Sequence, residues 1–146
     1  MLALIAGACF PLGLAPLNWW WVIIFSTALL AHVLRDLSPR QAFVRAWWYG
    51  LGFWGAGASW VYISIHFFGG TDSWLSALMT FGFVALLGIF QGIQGYLYSA
   101  LRLQRWNLVS FSALWVLMEW MRIWFLSGFQ WLFAGYGFID TPLKDF

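Results

Sequence analysis

Residues Trp74–Leu101 read WLSALMTFGFVALLGIFQGIQGYLYSAL, a stretch without a single Lys, Arg, Asp or Glu. A bilayer's hydrocarbon core is about 30 Å thick, and a helix rising about 1.5 Å per residue crosses it in roughly 20 residues. The stretch is long enough to span with tilt. Gly82, Ala85, Gly88, Gly92, Gly95 and Ser99 recur along it at steps of three and four, which puts them on one helical face. Gly88 and Gly92 make a GxxxG step. The stripe predicts a close helix–helix contact rather than a ligand groove. Gln91 and Gln94 flank it, placed for interhelical hydrogen bonds worth about 0.6–2 kcal/mol each.

The rest of the chain has the same character. It is 63% hydrophobic and 8% charged, against roughly 45–50% and about 25% in soluble domains. Mean hydropathy is +0.79. These values exclude a soluble globular domain, a disordered chain and a disulfide-stapled module. A net charge of +2 gives no argument for nucleic acid. The 13 Trp suit a protein that works at the headgroup level, where an indole is half buried and its N–H stays wet.

Charge clusters divide the chain into about five hydrophobic segments. The first, Leu2–Phe10, is too short to span and reads as the tail of a spanning helix. Pro11 and Pro16 mark a tight connection. The second, Trp19–Leu34, opens on Trp19-Trp20-Trp21. Ser38 as N-cap and Pro39 at the first position start the third, which runs from about Arg40 to Phe68 through Gly50, Gly52, Gly55 and Gly57. The fourth is Trp74–Leu101. The fifth is about Leu108–Leu126. The expected fold is all-α: a polytopic membrane helix bundle over residues 1–126, with 127–146 a loop outside the membrane.

Orientation follows from the basic residues. Arg35, Arg40 and Arg45 lie in one loop, and Arg102 and Arg105 in another. The 69–73 turn has none. The positive-inside rule places 35–45 and 102–106 in the cytoplasm, and 69–73 and 127–146 on the opposite face.

Little here resembles catalytic machinery. Glu119 and Arg122 are three apart on the fifth segment and share a face. A charge at the bilayer centre costs about 2.5–3.5 kcal/mol on insertion scales, so an intramembrane pair points to function. Its two readings are a self-neutralising pair near the outer interface, and a group that holds a lipid headgroup or orients a neighbouring domain. No carboxylate or Cys stands at ligand spacing from His32 or His66, so no metal site is expected. Cys9, the sole cysteine, lies in an apolar stretch with no nearby His, Lys or acid and is not expected to be a nucleophile. No catalytic residue and no cofactor are assigned.

Two motifs go further. One is Gly57-Ala58-Ser59-Trp60-Val61-Tyr62-Ile63-Ser64-Ile65-His66-Phe67-Phe68-Gly69-Gly70. The other is Glu119-Trp120-Met121-Arg122 followed by Ser127-Gly128-Phe129-Gln130-Trp131-Leu132 and Gly135-Tyr136. With Gly7-Ala8-Cys9-Phe10 and Ala15-Pro16, their order and spacing resemble the N-terminal membrane domain of the bacterial apolipoprotein N-acyltransferases. Gln130 departs from that pattern, which has Pro there.

The resemblance implies an inner-membrane enzyme with eight spanning helices and a nitrilase-like periplasmic domain. In that family a Cys thiolate takes an acyl chain from a phospholipid as a thioester. It then passes the chain to the α-amine of a lipoprotein's N-terminal diacylglyceryl-cysteine, with a Glu and a Lys completing the triad. None of that triad is expected in these 146 residues, which read as a fragment of about a third of such an enzyme, inactive alone. The implied partners are the phospholipid donor, the lipoprotein acceptor and membrane lipids. The candidates for lipid or substrate contact are Trp60, Tyr62, His66, Glu119, Arg122, Trp131 and Tyr136. The competing readings are a non-catalytic membrane anchor or assembly subunit, and a small transporter. Against the transporter, the segments lack the ionisable residues and broken-helix pairs of a transport path.

Overall fold

Ser38 and Pro39 start the central helix as their sequence requires. Gln41 Oε1 reaches back to accept from the Ser38 N–H at 3.2 Å and the Ser38 hydroxyl at 2.9 Å. The structure is a computed structural model and describes residues 1–101, 107–125, 128–139, 141, 142 and 144. Among these, six α-helices occur: α1 (Leu2–Cys9), α2 (Trp20–Val33), α3 (Pro39–Gly57), α4 (Trp60–Ile63), α5 (Ser73–Ala100) and α6 (Asn107–Trp124). No strand is found among the described residues. The all-α expectation is met.

Helix α3 lies between α1 and α5. Gly7 of α1 and Gly52 of α3 form one crossing. A methyl group on Gly52 would overlap the Leu4 carbonyl, and one on Gly7 would overlap the Tyr49 carbonyl. Only glycine lets these two backbones meet. On the other side, Gly88 packs on Gly50, Gly92 on Phe43, and Gly95 on Ala42 and Ala46. Trp47 Nε1 donates to Ala85 O at 3.0 Å, and the Ser99 hydroxyl donates to Leu37 O. The small-residue stripe of α5 is therefore the α3 contact. Its first member differs: Gly82 is exposed and faces open space.

The paired residues fix directions. Leu37 meets Ser99 and Gly50 meets Gly88, so α3 and α5 are antiparallel. The Ser26 hydroxyl on α2 donates to Ala6 O of α1 at 2.7 Å, and Gly13 meets Ile23, so α1 and α2 are antiparallel. Tyr98 stacks edge-on with Phe111, and Phe90 with Phe125, so α6 runs opposite to α5. One end of the molecule thus gathers the Arg35–Arg45 connection. The other gathers residues 10–19, 57–72 and 128–139.

The third segment is not one helix. Helix α3 stops at Gly57, a short turn follows, and then come α4 and a π turn at Ser64–Phe68. The Gly57 carbonyl, which a continuing helix would use for itself, accepts from Trp131 Nε1 at 3.3 Å instead. By length and apolarity α5 is the single helix among the described residues that suffices to cross a membrane. Leu2–Gly13 and Trp20–Val33 are shorter apolar helices. Of the about five hydrophobic segments expected from the spacing of charges, one is a helix of membrane-crossing length and apolarity among the described residues. Residues 102–106, placed with the cytoplasmic loops, lie outside the described residues.

Candidate functional site

The end opposite the Arg35–Arg45 connection carries the polar and aromatic residues singled out by sequence. Glu119 and Arg122 lie on α6, and their side chains are 18% and 3% exposed. Arg122 Nη2 stands 3.7 Å from Glu119 Oε1. Arg122 Nη1 donates to Trp131 O at 3.1 Å. The guanidinium lies 5.0 Å from the ring centres of both Trp54 and Phe133. Two aromatic faces thus offset the cost of burying this cation. Glu119 Oε1 accepts from Trp115 Nε1 and from the Ala134 N–H, each at 2.9 Å.

The bonds of the pair tie down residues 128–138. Gly128, beyond α6, has φ +84°, a conformation suited to glycine, and the Phe129 N–H donates to Arg122 O at 3.2 Å. Phe129 packs on Trp54 at 5.7 Å. The buried Leu132 side chain seats on Gly57, and Gly137 sits against Ile23 and Gly13. The segment is folded back over the end of the helices.

Folding back leaves a mostly apolar cleft of about 560 Å³, with Pro11, Leu14, Asn18, Gly57, Trp131 and Tyr136 in its walls. That volume suits a small ligand or one branch of a larger one. Beside it, the Trp60 and Trp131 rings lie 5.7 Å apart. Tyr62 stacks on His66 at 5.5 Å, and His66 Nδ1 is 2.7 Å from Thr71 O. Helix α4 and the π turn bury no residue, and Phe67 and Phe68 are 71% and 87% exposed.

Every candidate residue therefore lies at this one end. Trp131 and Tyr136 line the cleft, Trp60 flanks it, Tyr62 and His66 sit on the neighbouring turn, and Glu119 and Arg122 stand behind it. Sequence reasoning missed Trp54 and Phe133, which sandwich the arginine, and Pro11, Leu14, Asn18 and Gly57 in the cleft. The prolines and Gly57 were visible as turn and packing residues. Nothing in the sequence joined them to residues more than 70 positions away. No group of His, Cys, Asp or Glu that could hold a metal ion occurs among the described residues.

A helical, apolar domain with an aromatic-walled cleft at one end is the class that fold and site define. The family model described as "Apolipoprotein N-acyltransferase N-terminal domain" matches residues 6–146. The chain is 42% identical over 152 residues to an apolipoprotein N-acyltransferase of Pseudomonas syringae pv. tomato, covering 98% of this chain and 29% of that protein. The namesake from Coxiella burnetii is 45% identical over 150 residues, covering 100% and 31%. That from Pseudomonas aeruginosa is 44% identical over 148 residues, covering 98% and 29%. The chain belongs to the apolipoprotein N-acyltransferase N-terminal domain family, and it spans 29–31% of the length of these curated relatives.

Proposed function

We propose that this chain is the membrane domain of an enzyme that transfers an acyl chain from a phospholipid to the N-terminal diacylglyceryl-cysteine amine of lipoproteins. The chain's own share is to hold lipid at one end of a helix bundle. The bundle, residues 1–126, crosses the bacterial inner membrane several times. Residues 35–45 and 102–106 face the cytoplasm; 69–73 and 127–146 face the periplasm and lead toward the catalytic part. Support comes from family membership, from the alternating helix directions, and from the cluster of Arg35, Arg40 and Arg45 at the end away from the cleft.

The single observation that carries the lipid reading is the cleft. It is apolar, walled by amphipathic Trp131 and Tyr136, and edged by Trp60. An indole or phenol at such a rim packs on an acyl chain with its face and reaches a headgroup with its N–H or O–H. Tyr62 and His66 on the adjoining turn sit at the level of an ester or phosphate. Phe67 and Phe68 dip into the bilayer. The chemistry of transfer is assigned to no residue here.

The test is native mass spectrometry of the chain purified in mild detergent. One phospholipid should stay bound and transfer no acyl group. Trp131→Ala and Tyr136→Ala should each weaken retention about tenfold or more, the loss expected of a central aromatic anchor. A chain that retains no phospholipid, or variants that retain it as the parent does, would contradict the reading.

A further inference from the structure

Glu119 and Arg122 were the sequence's clearest candidates for gripping a headgroup, yet neither lines the cleft. They bond instead to the backbone on either side of Leu132: Arg122 Nη1 donates to Trp131 O at 3.1 Å, and Glu119 Oε1 accepts from the Ala134 N–H at 2.9 Å. Between these anchors stands Leu132, with φ +57°. That is the left-handed region which a branched side chain avoids and keeps only when its surroundings over-determine it. The left-handed turn sets the Leu132 side chain on Gly57, and both residues line the cleft. Trp131, on the same turn, reaches the Gly57 carbonyl and the Trp60 ring.

The geometry points to a latch. We propose that Glu119 and Arg122 are positioning residues that pin the 131–134 turn from behind. They thereby fix the depth of the cleft, and through it the length of acyl chain the cleft accepts. They select the chain without touching it. This rests on the reading of the cleft as a lipid site.

A grip on a headgroup and a latch on the turn make different predictions. A gripping pair would discriminate headgroups and be indifferent to acyl length. A latch discriminates acyl length, because relaxing the Leu132 turn moves a lining residue and enlarges the cleft. A pair that merely stabilises the fold would weaken all lipids by one factor.

The experiment uses the whole chain in nanodiscs and in detergent. Hydrogen exchange of residues 129–138 is followed together with the ratio of affinities for dimyristoyl and distearoyl phosphatidylethanolamine. Arg122→Gln should speed exchange of the segment about tenfold or more, a local opening that leaves protection along the α3–α5 seam at the parent level. It should also shift the affinity ratio toward the longer chain. Arg122→Lys, which keeps the charge but not the planar fork, should restore part of both effects. If Arg122→Gln loses protection throughout, the double variant Glu119→Leu/Arg122→Met decides. It removes both anchors without leaving a buried charge unpaired. An unchanged affinity ratio with a loosened segment overturns acyl selection. Unchanged exchange in variants of a parent that binds lipid overturns the latch alone. A parent that binds neither lipid overturns the inference together with the lipid reading of the cleft.

Discussion

The Ser26 hydroxyl donates to Ala6 O at 2.7 Å and stands 2.7 Å from the Tyr49 hydroxyl, which must then be the donor of that second bond. Three helices meet in this one polar chain, within an otherwise apolar core where Phe10 and Phe53 lie 4.6 Å apart. Ser26→Ala leaves the buried Tyr49 hydroxyl without its acceptor, which costs about 1–3 kcal/mol, whereas Tyr49→Phe removes donor and demand together and costs about 0.5–1.5 kcal/mol. Reversible unfolding in mixed micelles should rank Ser26→Ala as the more destabilised. The reverse order would mean that the Tyr49 hydroxyl finds another partner. The Glu119–Arg122 pair was legible at this scale because positions three apart share a helical face. Its partners Trp54, Trp131, Phe133 and Ala134 were not, since no local spacing joins α3 to a segment beyond α6.

At the scale of elements, the seam between α3 and α5 was readable in outline. The stripe from Gly88 to Ser99 announced a close contact, and the contact is there. The sequence could not name α3 as the partner, because small residues advertise proximity without saying to what. It also counted Gly82 into the seam, where the helix has already drawn away from α3. That difference gives a paired prediction. Gly95→Leu drives a side chain into the Ala42 carbonyl, 2.6 Å from where its Cβ would stand. Overpacking of that kind costs about 1–3 kcal/mol or more. Gly82→Leu meets open space and should leave thermal stability at or above the parent, because it removes a flexible glycine from a helix interior. Equal loss at both positions would contradict the seam. The break after Gly57 escaped the sequence for a related reason. Glycine is compatible with a membrane helix, and the Gly57 carbonyl finds its partner in Trp131, 74 residues away.

For the molecule as a whole, hydropathy and charge patterning answer different questions. Apolar length singles out α5 alone among the described helices. The arginines and the alternating helix directions give the chain two distinct ends. In a Cys9→Ala background, Ser38→Cys should react with an impermeant thiol reagent only from the cytoplasmic side. Ser73→Cys should react only from the opposite side. Both positions are exposed. Labelling of both from one side would contradict the alternating topology. The fold-back of residues 128–139 was the least legible feature, because the glycines and the later charges Asp140, Lys144 and Asp145 make 127–146 read as a loop outside the membrane. What holds it is a buried cation between two rings, assembled from three distant parts of the sequence.

The position of the acyl chain is the central question. The most direct measurement is photo-crosslinking with a phospholipid bearing a diazirine at the end of one acyl chain, added in stoichiometric amount to the detergent-purified chain and mapped by peptide mass spectrometry. Adducts should concentrate on residues 11–18 and 131–139, the walls of the cleft, and fade in Trp131→Ala. Adducts spread over the outward faces of α5 and α6, with the cleft walls unlabelled, would contradict the lipid reading of the cleft.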